Sequence, residues 1–578
     1  MKLPTMRCSD GIRKHKQLKF DGLNHTLGAE DGALWDMKNL SSDDYPLLSV
    51  RPNRKLLGTL AKPNGLFYWK GMMWVDGTDV YFDGKVVGQV EDSRKTFGAI
   101  GPYIVILPDK VCYHVGSGEW KPMEQIWKYN GNEMNCRISS ANVSYFDAQD
   151  AAGNTNTYSA ITVQMRALAQ SDDAENTAPD FESIFRVGET VTIRGITHTE
   201  ETEDGNLVTV TEEISLTIKG FSRRLYPYLD LYSCESQIIF DEGALSGKRG
   251  LGENLSISRD VPDLKYLCED GNRLWGCDGD TIYASRLGDP LSWNTFDGLQ
   301  TDSWALTPAS SGEFTGCINY QGYPTFFKED RLYKVYGELP STFSVVDSPC
   351  LGVAKGCSDT LALAWGYVFY LGTNGPMIYS GSLPRPVSHA FGNLRFTGGC
   401  AGSDGLKYYG SLQSVDGQSR VYVYDVQRGL WHIEDDLEAV SFCRVDGDVY
   451  CLGADGRIRI LGASKSSPEG SEEEAAFQWM AEFADFTQGE PNHKGVSKLQ
   501  VRLGLEKGSS VTVFIQFDSD GVWRTVRTLT GDGSKRSFYL PIVPRRCDHY
   551  RLKLEGTGRA RIYSLVQESY TGSERPAT

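Results

Sequence analysis

The chain is 578 residues long, 40% apolar and 23% charged, with a formal net charge of −16; this is the make-up of soluble globular protein, too long for a single core, so three or four domains are expected. Such acidity excludes a surface that as a whole grips nucleic acid, because it repels phosphate, but it leaves a transient passage of DNA open. Helix signals are scarce, and 62 glycines with 29 tyrosines suit strands joined by tight turns, an all-β chain.

Residues 1–55 read as an irregular N-terminal arm in which single large apolar residues alternate with turn residues, as in FDGLN from Phe20 and GALWDMKNLSSDDYPLLSVRPNR from Gly32. Such a segment is ordered by docking along other domains. Its opening, MKLPTMRCSDGIRKHKQLKF, has charges but no apolar centre, so no secretory signal is expected, and no apolar run reaches the length of a membrane span. The cations Arg7, Arg13, Lys14, Lys16 and Lys19 could touch DNA or an acidic neighbour, with a solvated terminus as the simpler reading.

Residues 56–126 and 235–463 carry one template seven times. RLWGCDGDTIYAS from Arg273 shows it: a strand of alternating aliphatic and aromatic residues, a turn rich in Gly and Asp, and a second strand centred on tyrosine. Relatives begin at Met72, Pro102, Tyr323, Tyr367, Leu406 and Asp448. Alignment on the turn matches Tyr81, Tyr113, Tyr283, Tyr333, Tyr379 and Tyr422, with Arg459 the one departure. Gly271, Gly322, Gly366, Gly405 and Gly447 open successive copies at separations of 51, 44, 39 and 42, and roughly 40 to 50 residues is the repeat of a four-stranded propeller blade. The period of two between turns argues against helical repeats. A β-propeller of about seven blades is therefore expected, its recurrent tyrosines packing between blades with their hydroxyls bonded at the rim.

Residues 127–234 break the template. ITVQMRA from Ile161, FRVGETVTIRGI from Phe185 and VTVTEEISLTIKGF from Val208 alternate as strands between the acidic loops SDDAENTAPDFES and THTEETEDGN; a small β-barrel or sandwich inserted into the array is expected. The loops lack the ligand spacing and glycine of a calcium site and read as solvated turns. Residues 464–476, SKSSPEGSEEEAA, form a linker by composition, and five or more amphipathic strands in 477–578 predict a C-terminal β-sandwich.

No HExxH, GxSxG, Walker loop or CxxC pair occurs, and the eight histidines stand isolated. No catalytic, cofactor-binding or metal residue is assigned, and no enzyme activity is expected. FDSDGVW from Phe517 is similar to the aspartate-box turn of glycan-cleaving propellers, but it lies outside the propeller and reads as a hairpin. The 13 cysteines are expected as buried free thiols rather than a disulfide framework.

RLWGCDGDTIYASRLGDPLSWNTFDG from Arg273, GYPTFFKEDRLYKVYG from Gly322, the turn patterns from Gly356 to Tyr379, PIVPRRCDHYRLKLEG from Pro541 and the opening FDGLN resemble the propeller-containing tail hub or nozzle proteins of short-tailed bacteriophages. The resemblance covers most of the chain outside 127–234. It implies a virion tail protein assembled in the host bacterial cytoplasm, present as a ring of about six copies, by likeness to such tail rings. The ring would sit below the portal among adaptor and other tail proteins, forming part of the channel for DNA ejection without binding DNA specifically. An acidic wall suits such a conduit, because repulsion at Debye-length range keeps the cargo free. Two other classes share these features: a glycan-binding or glycan-cleaving tail propeller, and a propeller scaffold for protein partners.

Overall fold

The computed structural model describes residues 13–26, 30–129, 134–142, 157–168, 179–201, 207–228, 231–241, 244–245, 249–462, 468, 470–488, 493–543 and 545–571. Among them, apart from the four-residue helix Phe181–Ile184 and two short 3-10 turns, the regular elements are β-strands.

Six four-stranded sheets follow one another along the chain, from Pro63–Tyr68 to Lys85–Gln89, Thr96–Ile100 to Glu119–Pro122, Tyr266–Asp270 to Trp304–Leu306, Gly316–Asn319 to Ser344–Pro349, Ala362–Ala364 to Arg385–Pro386, and Phe396–Ser403 to Leu430–Ile433. A seventh takes Ala439–Val445, Asp448–Gly453 and Arg457–Leu461 and is completed by Lys55–Thr59, with Glu472–Glu473 beyond it. In every sheet the template copy supplies the two middle strands of the meander, as where Arg273–Asp278 meets Thr281–Ala284 with Gly276 opposite Tyr283. Middle strands such as Tyr367–Gly372 and Gly375–Tyr379 are buried on both faces. Outermost strands such as Lys85–Gln89 and Ser344–Pro349 are mostly exposed and carry Lys85 and Asp347, charges that keep an open edge from pairing with another chain.

The recurrent glycine has a backbone cause. Turns into the first template strand, the second strand of its sheet, hold two adjacent residues at positive φ, Gly271 (60°) with Asn272 (57°), Trp365 (51°) with Gly366 (75°), and Asp446 (49°) with Gly447 (93°). This is the demand of a type I′ turn, whose twist matches the strands it joins.

The chain divides into two compact units. The first comprises Met1–Arg94, Phe326–Leu332 and Asp347–Thr578; within it the sheets starting at Ala362, Phe396, Ala439 and Pro63 pack side by side in that order. The second comprises Lys95–Thr325 and Tyr333–Val346; within it Tyr266–Asp270 packs between Thr96–Ile100 and Gly316–Asn319.

The second unit also holds the insert, a pair of four-stranded sheets. One orders Gln125–Lys128, Arg249–Arg259, Thr190–Glu201 and Leu207–Thr217, the other Met134–Asn142, Thr157–Leu168, Leu231–Phe240 and Gly220–Tyr228. Trp127, Ile193, Ile238, Phe240 and Ile257 fill the core. The boundary expected at 234 thus falls inside a strand, and the insert runs to Arg259. QIIF and NLSIS alternate with the same period as blade strands, and period alone does not say which sheet a strand joins. Most of SDDAENTAPDFES lies outside the described residues, whereas THTEE at the start of the other expected loop continues strand Thr190–Glu201.

The N-terminal arm is built of strands rather than irregular. Leu34–Lys38 pairs with Gln478–Phe483, and both Arg13–Gln17 and Leu48–Val50 pair with Ala560–Thr571. The C-terminal sandwich therefore takes strands from both ends of the chain, five in one sheet and seven in the other. Leu34, Met37, Leu40 and Leu48 are among its buried residues from the arm, but single apolar residues between turns show no period long enough to announce a strand. The expected linker is likewise engaged at its end, where Glu472–Glu473 pairs with Leu56 and Lys55. One apolar core runs from Trp479, Phe483 and Leu503 through Phe20 and Leu23 to Phe391 and Trp431.

Deleting residues 1–54 is expected to abolish the cooperative unfolding of the sandwich in a urea or calorimetric scan, and Leu34→Ala to cost about 2–5 kcal/mol by the usual penalty for a core cavity. A truncated chain that keeps the full transition would contradict this assignment.

Candidate functional site

The six template tyrosines lie in six different sheets and pack against their own neighbours. Tyr81 stacks on Trp74 with centroids 5.5 Å apart, and Tyr113 lies 6.3 Å from Trp120. Burial raises the Tyr283 hydroxyl above its ordinary pKa. Tyr333 meets Phe314 at 5.4 Å and shares a hydrogen bond with Ser310. Tyr379 is buried, and Tyr422 lies 5.3 Å from Phe391 and 5.2 Å from Phe396. Arg459, at the seventh position, pairs with Asp455 at 2.8 Å.

A dense polar cluster lies instead where the N-terminal strands meet the last sheets of the repeat, within the first unit. Arg51 grips Glu474 with both guanidinium ends, at 2.7 and 3.0 Å, donates from Nε to Asn39 at 2.7 Å, and lies over the Phe477 ring at 4.0 Å. Arg54 binds Asp435 at 2.6 and 2.9 Å and Glu434 at 2.7 Å. Both arginines are at most 2% exposed. Burial raises the carboxyls of Asp435 and Glu474, but Arg54 and Arg51 outweigh it and hold both below the ordinary carboxylate range.

Beside it, Lys407 binds Asp43 at 2.5 Å, and Asp425 accepts from Ser42 at 2.7 Å and Arg428 at 2.8 Å. His432 is buried here, its Nδ1 without a hydrogen-bond partner. Burial first, then the Lys407 charge, pushes its pKa down to about 3; the ring is neutral near pH 7 and serves as a packing group. Sequence reading missed this cluster because its members are up to 423 residues apart and only the strand pairing of the arm brings them together.

A serine–histidine–carboxylate group does occur in the sandwich. Ser519 Oγ lies 2.8 Å from His549 Nε2, and His549 Nδ1 lies 3.4 Å from Asp548 Oδ2, the order of groups in a hydrolase triad. Four backbone N–H groups around it are already engaged. Asp518 Oδ1 accepts from the N–H groups of Asp548 and His549, Phe517 O from Asp520, and Asp520 Oδ1 from Val522. None of these donors is left to hold an oxyanion. The group fixes a hairpin in which Asp518 and Ser519 sit at φ 49° and 51°, and Asp520 closes it by pairing with Arg524 at 2.7 Å.

Among the described residues, no cluster of three or more His, Cys, Asp or Glu side chains could hold a metal ion, and all twelve described cysteines are unbridged. Burial raises thiols such as Cys112, Cys277 and Cys400, which suppresses the reactive thiolate. A cleft of about 400 Å³ in the first unit is lined by Asp43, Arg51, Lys535, Arg559, Arg561 and Tyr563 among others.

No family model matches the chain, and no curated relative does. Solved structures give remote likenesses. BamB from Moraxella catarrhalis is 11% identical with a TM-score of 0.31, over 73% of this chain and 99% of that chain. PorZ of the type-IX secretion system of Porphyromonas gingivalis is 9% identical at 0.24, over 91% and 80%. A Trypanosoma rangeli sialidase is 9% identical at 0.20, over 97% and 96%. These likenesses bring no activity, substrate or partner to this chain.

Two outcomes follow from the buried cluster. Arg54→Ala takes from Glu434 and Asp435 their nearest cation, leaving Arg51 at 4.0 and 3.8 Å, and is expected to cost about 3–5 kcal/mol in urea unfolding; a loss below about 1 kcal/mol, the scale of an exposed pair, would contradict it. For His432, the unfolded imidazole takes up a proton below 6.5 while the folded ring stays neutral to about 3. The unfolded state thus binds more protons in that window, so stability is full above 6.5 and falls as pH drops through it, by at most about 1.4 kcal/mol per pH unit. His432→Leu should remove that part of the slope between about pH 6 and 4.5, and identical slopes in variant and parent would refute it.

Proposed function

We propose that the chain is a structural protein of a bacteriophage tail, a hub or nozzle component. Its seven sheets close into one propeller, latched by Lys55–Thr59. About six copies assemble into a ring below the portal, in contact with adaptor and other tail proteins. The ring forms part of the channel for DNA ejection, and DNA passes it without specific binding. The protein is not an enzyme.

The observation that carries this reading is the joining of both chain ends to the repeat array. The strand Lys55–Thr59 completes the last sheet, and the arm on its N-terminal side completes the terminal sandwich. A stiff repeat array bearing two further β-sandwiches offers several surfaces to neighbours, and a closed ring needs two unlike surfaces on each copy. The sequence resemblance to tail hubs supplies the rest. The net charge of −16 supports a wall that repels phosphate, whereas a basic wall would hold DNA through many contacts and make release strongly salt dependent.

Two measurements check this. Mass spectrometry of purified particles should find the chain as a stoichiometric tail component, and its absence from particles would overturn the reading in favour of a cytoplasmic scaffold. Incubation with envelope polysaccharide should release no reducing ends. Turnover lost on His432→Ala or Asp520→Asn would instead establish a glycan-cleaving protein.

A further inference from the structure

One face of the terminal sandwich departs from the acidity of the chain. It is the outer face of the sheet containing Arg13–Gln17, Ala560–Thr571, Lys494–Leu505 and Lys535–Leu540. The register sets its side chains in rows across the strands: Lys14 with Glu568 and Lys498; Lys16 with Val566, Gln500 and Tyr539; Arg502 with Ser564; and Lys535 with Gly504 and Arg561. Six cations thus share a face on which the rows contain one carboxylate, Glu568. That carboxylate pairs with Lys14 at 3.2 Å and Lys498 at 3.5 Å, and Asp44 at the rim takes Arg561 at 2.7 Å. Lys16, Arg502 and Lys535 are exposed and make no ion pair among the described residues. Lys14 and Arg561 remain about 60% exposed despite their partners.

We infer that this face docks an acidic surface of a second copy of the same chain. The inference rests on the ring reading above and says which surface makes the ring contact. Two copies cannot meet through this face alone, since an isologous contact sets six cations against the same six. The contact is therefore heterologous, the type that closes rings. The chain itself supplies the complement, since it is −16 overall in spite of this face. Nucleic acid is the less suited occupant. Single strands are held by stacking on bare aromatic rings, and two of the rings on this face carry ammonium groups, Lys535 Nζ 3.6 Å from the Tyr563 centroid and Lys498 Nζ 4.7 Å from that of Tyr539. Gly504 leaves room for the first of these stacks: a Cβ there would lie 3.2 Å from the Tyr563 ring, which would have to shift slightly.

Exposed pairs act mainly on encounter and orientation. The test is sedimentation velocity of the full chain at low and high salt, with the triple charge reversal Lys16→Glu, Arg502→Glu and Lys535→Glu, the neutral Gln triple, and 30-base-pair duplex DNA as a competing partner. The parent should self-associate at about 50 mM salt, and about tenfold or more weakly at 500 mM. The Gln triple should associate less and the Glu triple not at all, with unchanged thermal unfolding. Because the contact is heterologous, the Glu triple keeps its acidic surface and should still bind the parent and cap its growth. No association of the parent, association unaffected by the reversal, or duplex DNA captured through these three residues in preference to a second copy would each overturn the inference. If the parent forms rings that the reversal leaves intact, this contact fails while the ring stands. If the chain is missing from tails yet associates through this face, the tail reading fails and the contact stands.

Discussion

Pairing between the first sixty residues and the last hundred or so is the constraint on which the rest of the first unit depends. The segment from Arg13 to Thr59 gives strands to both sheets of the terminal sandwich and the closing strand to the seventh blade-like sheet. A strand added to an edge satisfies a row of backbone donors and acceptors that water would otherwise compete for. It also fixes position, since a slip of one residue turns every side chain to the opposite face. Leu34 and Met37 enter the same core as Trp479, Phe483 and Trp431, so register and hydrophobic burial enforce each other.

The buried arginines act on top of this pairing. Removing two guanidinium groups and three carboxylates from water costs more than their mutual attraction returns unless the hydrogen bonds are nearly complete. Here they are nearly so: Arg51 and Arg54 each meet a carboxylate with two nitrogens, and Asn39 takes the Nε of Arg51. Such a network adds little net stability over apolar packing, but it penalises every arrangement that leaves one member unpaired. Its place is where the arm, the last sheets of the repeat and the start of the sandwich meet, the point at which a misplaced register would do most damage.

The repeated four-stranded sheets were legible in the sequence because their code is local. A type I′ turn demands positive φ at two adjacent residues, which leaves glycine as a visible mark, and the alternation beside it names the strands. The six tyrosines follow from the same periodicity, one in each of six sheets. What was not legible is long range. Arg51 and Glu474, or Lys16 and Arg502, gain meaning only through strands paired across more than four hundred residues. The insert was visible as a break in the template, but its end was not, since Leu231–Phe240 and Arg249–Arg259 alternate as blade strands do. Cations read as a loose terminus in Lys14 and Lys16 become part of a structured face once Arg13–Gln17 is paired.

The proposed tail role rests on a sequence resemblance, on the pairing of Arg13–Gln17 with Ala560–Thr571, and on a basic sandwich face in a chain that is acidic overall. A conduit needs both properties, a wall that does not hold phosphate and contacts strong enough to keep copies in register. An electron-microscopic reconstruction of virions tests the central claim most directly. It should show this chain as a closed ring around the DNA channel below the portal, with carboxylates predominating on the bore. A peripheral monomer, or a bore lined by lysine and arginine, would contradict the account.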